Sequence, residues 1–245
     1  PPRGRGGDVK LMTYNIQLGI QRGVERIADV IATENPDIVA LQEVGRFWRM
    51  GPPGHTLEAL SESTGLDNYD FVVTIHEERD EGAPAEYGHA ILSRWPIEQL
   101  SRYDFSQDID DPRAASLYSI ESPEVPVLLL STHLSHIEGE RTRHGPELLR
   151  LVAKHLAEDV PLFVVGDLNE SSDERVWLQE LRELLLDAAG SGDATNSDPT
   201  FPAEDPERRI DYLLASRGQW DRYQVVDELF ASDHRPVVAE WHDVD

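Results

Sequence analysis

Apolar positions along this chain fall into two rhythms. Short dense runs come first: "VKLMTYNI" (9–16), "DIVALQEV" (37–44), "DFVVTIH" (70–76), "GHAILSR" (88–94), "SLYSI" (116–120), "VPVLLLSTHL" (125–134) and "PLFVVGDLN" (161–169). "RIDYLLAS" (209–216), "YQVVDELF" (223–230) and "PVVAEW" (236–241) close the series. Their length and their β-branched and aromatic content predict strands. Between them runs a helical rhythm. Val24, Ile27, Val30 and Ile31 make one face of a helix that stops at Asn35-Pro36. "HTLEALSESTG" (55–65) is a helix ended by Gly65, and "PELLRLVAKHLAED" (146–159) is one with Pro146 in its first turn. "DERVWLQELRELLLDA" (173–188) is a fourth, with Ser171 or Ser172 as its N-cap. Intermixed helices and strand pairs imply α/β or α+β layers and exclude strand-only and bundle architectures.

The polar interruptions of this pattern are placed consistently. Asn15 follows "LMTY", Glu43 follows "IVALQ", His133 follows "VLLLST", and Asp167 and Asn169 follow "LFVV". Asp211 interrupts "RIDYLLAS", and Asp233 and His234 precede the last strand. Gathered at one edge of packed sheets, these ends make an acidic pocket with two imidazoles. Oxygen-rich donors of this kind suit a hard cation such as Mg²⁺. Phosphoryl transfer needs charge neutralisation and an aligned nucleophile rather than covalent help. A strand ending in Asp-x-Asn sets a base and a neutral amide on one side of the backbone.

Composition narrows the field. The 245 residues suffice for one large domain, and no linker or repeat divides them. The absence of cysteine removes disulfides, thiolate metal sites and cysteine nucleophiles. No apolar run approaches the ~20 residues that span a bilayer. "PPRGRGGDVK" lacks a signal-peptide core, so residues 1–8 read as a tail and the compartment as cytoplasmic rather than secreted. The net charge of −25 argues against tight tracking of a nucleic-acid backbone. It also suits a salt-rich solvent that screens the field. Charge can be local, however, and Arg94, Arg102, Arg113, Arg141, Arg143, Arg208 and Arg209 are candidates to line one face.

"TYNI", "LQEV", "GHAILSRWPI", "STHLS", "GDLN", "RRIDYLLAS" and "SDHRPV", in that order, resemble the endonuclease/exonuclease/phosphatase superfamily. The likeness runs from about residue 9 to 241. It implies a four-layer α/β sandwich with two central mixed, largely antiparallel sheets flanked by helices. It implies a monomeric hydrolase dependent on one or two Mg²⁺ or Mn²⁺ ions. Under that likeness Glu43 is the principal metal ligand, and Asn15 and Asp233 complete the metal environment. Asp167 orients and deprotonates the attacking water, and Asn169 helps hold it. His234 touches the scissile phosphate, Asp211 keeps that imidazole charged, His133 is a second phosphate-side histidine, and Arg113 falls where relatives carry an active-site arginine.

Alternatives stay open. Asp167 also fits an Asx turn, since loops after strands favour Asp and Asn. Asp211 is unusual within a strand, and buried it needs a partner. His133 and His136 stand three apart, but no third zinc ligand is evident at suitable spacing. "GERTRHG" (139–145) reads as a flexible basic loop that either meets substrate phosphate through Arg141 or Arg143 or is simply solvated. Phe47 and Trp48 are either a substrate wall or a local cluster. The substrate is a phosphoester: a small molecule, a lipid headgroup or a nucleic acid. The non-catalytic alternative is a binding module on the same fold. A binuclear metallophosphatase would need a "GNH" run that this chain lacks.

Overall fold

A computed structural model describes residues 8–106, 111–123, 125–156, 159–171, 175–190 and 198–244. In chain order the elements are β1 (Asp8–Asn15), α1 (Gly23–Glu34), β2 (Ile38–Arg46), α2 (Thr56–Thr64), β3 (Asn68–Glu77), β4 (Ala85–Ser93), β5 (Ile97–Asp104), β6 (Ala114–Ile120), β7 (Val127–His133), α3 (Glu138–His155), β8 (Leu162–Asp167), α4 (Val176–Leu184), β9 (Leu186–Asp187), β10 (Asp211–Ala215), β11 (Gln219–Val225) and β12 (Val237–His242). They build two six-stranded sheets, ordered β11-β12-β1-β2-β4-β3 and β5-β6-β7-β8-β10-β9.

Each sheet is antiparallel except for one central parallel pair, β1–β2 in the first and β7–β8 in the second. A parallel pair needs a crossover, and α1 and α3 supply them. Alternation sorts the side chains. Val9 and Leu11 of β1 meet Leu129, Phe163 and Val165 of the second sheet in the inter-sheet core. Met12 and Tyr14 pack outward with α1 and α2. Leu128, Leu130 and Val164 pack outward with α3 and α4. The result is helix, sheet, sheet, helix: the α/β sandwich that the motifs imply.

Several local expectations need correcting. α3 begins at Glu138, so Pro146 lies inside it and "GERTRHG" is helical rather than a loop. Packing overrides the break that Gly and Pro suggest. Glu140, Arg141 and His144 are buried, and a Cβ on Gly145 would strike the Trp177 indole, so α3 lies close against α4. The final sheet strand before β12 is Gln219–Val225, not 223–230, because a register shift between Asp221 and Gln224 breaks its alternation. α4 starts after Arg175 without a side-chain cap from Ser171, and Leu186 has already joined a strand. Asp8 belongs to β1, which leaves residues 1–7 of the expected tail, and Ser172 as a cap, outside the described residues.

Candidate active site

Parity and register bring the polar strand ends together. Asn15 shares the inter-sheet face of Leu11 in β1, Asp167 that of Val165 in β8, and His133 that of Leu129 in β7. Asp211 shares the face of Leu213 but opens β10 rather than interrupting a strand. The ladders then set three residues in a row. His133 pairs with Asp167 across β7–β8, and Asp167 with Asp211 across β8–β10.

Glu43 has the wrong parity for this face, since Val39 and Leu41 of β2 point to the helices. A bulge between Leu41 and Val44, with Glu43 at φ 53°, re-aims it. Asn15 Nδ2 then donates to Glu43 Oε1 and to Asp167 Oδ2, each at 3.1 Å, tying the two sheets. Asn169 likewise arrives by backbone geometry, not by strand alternation. Its φ of 53° follows an Asx turn in which its N–H donates to Asp167 Oδ1 at 2.8 Å. Its Nδ2 donates to the Leu134 carbonyl at 3.0 Å. The turn and the convergence are thus one feature. Gly166 makes the close approach of β8 to β7 possible, because a Cβ there would run into the Thr132 carbonyl. Left-handed residues at Gln17, Glu43 and Asn169 place strained backbone around one centre, as functional sites do.

The charges are set by neighbours. Burial raises the Asp167 carboxyl to about 7, and the Asp211 carboxylate adds to the rise against the pull of His234 and Asn15. Burial works against an imidazolium at His234, but Asp211 outweighs it through charge and a 2.9 Å hydrogen bond from Nδ1, with Asp167 and Asp233 assisting. The His234 pKa is pushed up to about 10. Its Nε2 lies 3.8 Å from Asp167 Oδ2. His133 is the opposite case. Burial and then the Arg113 guanidinium hold it well below its ordinary value. Arg113 Nη1 donates to His133 Nδ1 at 2.9 Å, so the ring carries its proton on Nε2, 3.4 Å from Asp167 Oδ2.

Every sequence-derived site residue lies at this sheet edge. Arg113 is buried; Asp111 (2.6 Å), His133 and Tyr87 hold it. His136 is exposed beside Asp111 at 3.5 Å and forms no pair with His133. Arg141 bonds the Ser135 and His136 carbonyls, so it is not a free substrate contact. Trp48 packs on Tyr87 at 5.6 Å in a local cluster with Leu18 and Ala85. Four participants were not singled out from sequence. Gln17 Nε2 donates to Asp233 Oδ2 at 2.9 Å, and Thr200 Oγ1 to Asp211 Oδ2 at 2.6 Å. The Phe201 ring lies 4.8 Å from that of His234, and Tyr87 bonds Arg113. "TFP" inside the most polar stretch of the chain was the available signal for Thr200 and Phe201.

Two donor sets lie at this edge. Burial raises the Glu43 carboxyl against the Asn15 hydrogen bond, and the negative charge of Asp233 adds to the rise, a repulsion of the kind a nearby cation would relieve. Asn15 Oδ1 and the Glu43 and Asp233 carboxylates are oxygen donors of the kind a hard cation takes. Asp167, Asp211 and His234 also bring ligand atoms within 4.8 Å of one another.

Two βαβ crossovers that meet at one acidic, histidine-bearing sheet edge define a two-sheet α/β sandwich with its polar residues gathered at that edge. Residues 12–234 match the family described as Endonuclease/Exonuclease/phosphatase family, and the chain belongs to it. Its members act on phosphoester bonds. The uncharacterized protein YbhP of Escherichia coli is 29% identical over 259 residues, covering 95% of this chain and 96% of that one. An endonuclease/exonuclease/phosphatase from Beutenbergia cavernae superposes with a TM-score of 0.77 at 26% identity, over 96% of this chain and 72% of its own. A mannosyl-6-phosphatase of Bacteroides thetaiotaomicron gives 0.72 at 19% identity, over 96% and 100%. TDP2 from Caenorhabditis elegans gives 0.68 at 21%, over 98% and 75%.

Proposed function

We propose that this chain is a metal-dependent phosphoesterase acting on small phosphoesters by in-line attack of an activated water. The observation that carries the reading is the environment of one carboxylate. Asp167 sits between Asn15 and His234 with a pKa of about 7. A base of that strength takes a proton from water near neutral pH, where an ordinary aspartate is too weak. Asn169 orients the same water. His234, kept cationic by Asp211, donates from Nε2 to a phosphoryl oxygen as negative charge builds on it. Arg113 fixes the neutral tautomer of His133 and acts as a positioning residue. Asn15, Glu43 and Asp233 are the residues that would hold Mg²⁺ or Mn²⁺, one ion or two, which neutralises phosphate charge when bound.

The chain's own electrostatics favour a small substrate over a nucleic acid. Arg94, Arg102 and Arg113 are each tied to an aspartate at 2.6–2.9 Å, and Arg209 is bound to Asp187. Arginines neutralised in this way do not form the basic track that a polyanion needs. The phosphatase named among the structural neighbours shares 19% identity, so it speaks for the fold alone.

Hydrolysis of p-nitrophenyl phosphate and bis(p-nitrophenyl) phosphate with Mg²⁺, Mn²⁺ or EDTA tests the reading. Turnover should require the cation, and Asp167→Asn should lower it by about 10³-fold while the protein stays folded. Glu43→Gln should raise the half-saturating metal concentration by about tenfold. An active Asp167→Asn enzyme, or turnover indifferent to EDTA, defeats the mechanism. Cleavage of plasmid DNA at high salt in preference to small esters would make the acidic surface a solvent adaptation and the protein a nuclease.

A further inference from the structure

Beside the reacting centre lies a cavity of about 380 Å³, with Asp233 in its wall. Its other side chains come from three places. Gln21 follows β1, Leu229 precedes the Asp233 segment, and Pro202, Glu204 and Asp205 lie on the loop that spans 201–208. That loop is fastened to the active site. Phe201 and Arg208 close it as a bridge, Thr200 Oγ1 bonds Asp211, and the Ala203 N–H bonds the Asp233 carbonyl at 2.7 Å. The opposite wall is connected as well. Gln21 Nε2 donates to Gln17 Oε1 at 2.9 Å, and Gln17 Nε2 to Asp233 at 2.9 Å. Gln21 is exposed and Glu204 and Asp205 are exposed, so their oxygens are open to a ligand.

The lining is chemically one-sided. Among the described residues, no lysine, arginine, histidine or aromatic ring lines the cavity. Arg208 lies on the Phe201 ring at 5.0 Å, outside it. Arg235, behind the wall, is bonded to the Ala203 carbonyl at 2.7 Å and to Asp227 at 3.2 Å. Apart from Asp233 at the metal side, a second phosphate on the substrate would meet the Glu204 and Asp205 carboxylates and no cationic side chain of the lining. A quaternary ammonium group would find no aromatic face to stack on. A polyhydroxylated alcohol suits every part of the lining: its hydroxyls donate to Glu204, Asp205 and Gln21, and its C–H face packs on Pro202 and Leu229. Asp233 lines the cavity and Asp167 does not, so a group bound here sits beside Asp233 and away from the Asp167 carboxylate, the side on which an in-line leaving alcohol departs.

We infer that this cavity takes the leaving alcohol and selects a neutral polyol, of sugar or glycerol type, bearing a single phosphoester group. The inference rests on the phosphoesterase reading above. Glu204 and Asp205 are its specificity-determining residues, and they act chiefly by rejecting additional negative charge.

The test is phosphate release in Mg²⁺ from a hexose monophosphate, the corresponding hexose bisphosphate and ethanolamine phosphate, with p-nitrophenyl phosphate alongside. The native protein should prefer the monophosphate over the bisphosphate by about tenfold or more in kcat/KM. The double variant Glu204→Lys, Asp205→Lys alters exposed side chains, and circular dichroism confirms its fold. It should narrow or reverse that ratio by about tenfold, chiefly through KM for the bisphosphate. Equal use of mono- and bisphosphate, or a ratio unmoved by the double variant, overturns the assignment while p-nitrophenyl phosphate turnover keeps the parent reading. Preference for ethanolamine phosphate would make the cavity a cation pocket. No metal-dependent turnover of p-nitrophenyl phosphate overturns the parent reading and this inference with it.

Discussion

Two histidines flank Asp167, and their surroundings give them opposite charges. His133 and His234 are both buried, and each presents Nε2 to the same Asp167 oxygen, at 3.4 and 3.8 Å. Behind His133 stands Arg113, and behind His234 stands Asp211. Burial alone would neutralise both rings. The guanidinium adds to burial at His133, whereas the carboxylate overrides it at His234. The partner behind the ring, and not its burial, therefore decides which imidazole can meet a phosphate as a cation. The other is left as a fixed neutral donor facing Asp167.

The widest gap should open between equivalent substitutions on the two sides. His234→Asn removes a cationic donor and should lower kcat/KM by about 10³-fold. His133→Asn keeps a neutral N–H donor near Asp167 and should lower it by about tenfold. Steady-state kinetics on p-nitrophenyl phosphate at saturating Mg²⁺ measures both. Equal losses would mean that the two rings carry the same charge.

A smaller effect follows from changing the partner rather than the ring. Asp211→Asn retains a hydrogen-bond acceptor for His234 Nδ1 and removes the charge that sustains the imidazolium. Turnover should fall by about 10²-fold with little change in KM, because the interaction strengthens only as phosphoryl charge develops. A variant at native speed would show that the ion pair has no part in the reaction.

Much of this arrangement was legible in the chain, for identifiable reasons. Asn15, His133, Asp167 and Asp211 continue the period-2 face of apolar neighbours that the sequence displays, so their convergence followed from strand alternation. Glu43 and Asn169 reached the same place through left-handed backbone that alternation does not anticipate; their motifs marked them, but their geometry did not. α3 was cut short because Gly and Pro normally end helices, whereas here Gly145 serves close packing against Trp177. The charge difference between the histidines was half visible. Asp211 was an evident partner for His234, but nothing in "DPRAAS" placed Arg113 behind His133, a contact between β7 and the approach to β6.

The smallest effect concerns stability, and there the two sides have opposite signs. His234 has a folded pKa near 10, above the ~6.5 of an unfolded histidine, so its contribution is complete below ~6.5 and is lost as pH rises through 10. His133 and its neighbour His89 are held low in the folded state. Their contribution is complete above ~6.5 and is lost as pH falls, because the unfolded chain then takes up protons that the native one refuses. His89 isolates this effect. It is fully buried on β4 with Nε2 unpartnered, and burial, helped by Arg102 and Arg113, lowers it to about 3. Between pH 7.5 and 5 it should therefore cost the native protein about 2 kcal/mol, since each unit below ~6.5 is worth ~1.4 kcal/mol. His89→Leu leaves no polar atom unpaired and no proton to bind. Urea unfolding in EDTA at the two pH values, which keeps metal out of the linkage, should find the pH-dependent loss of stability smaller in the variant by about that amount. An acid sensitivity identical in both proteins would mean that the first sheet does not hold this ring neutral, and that burial behind Arg113 is less complete than its geometry implies.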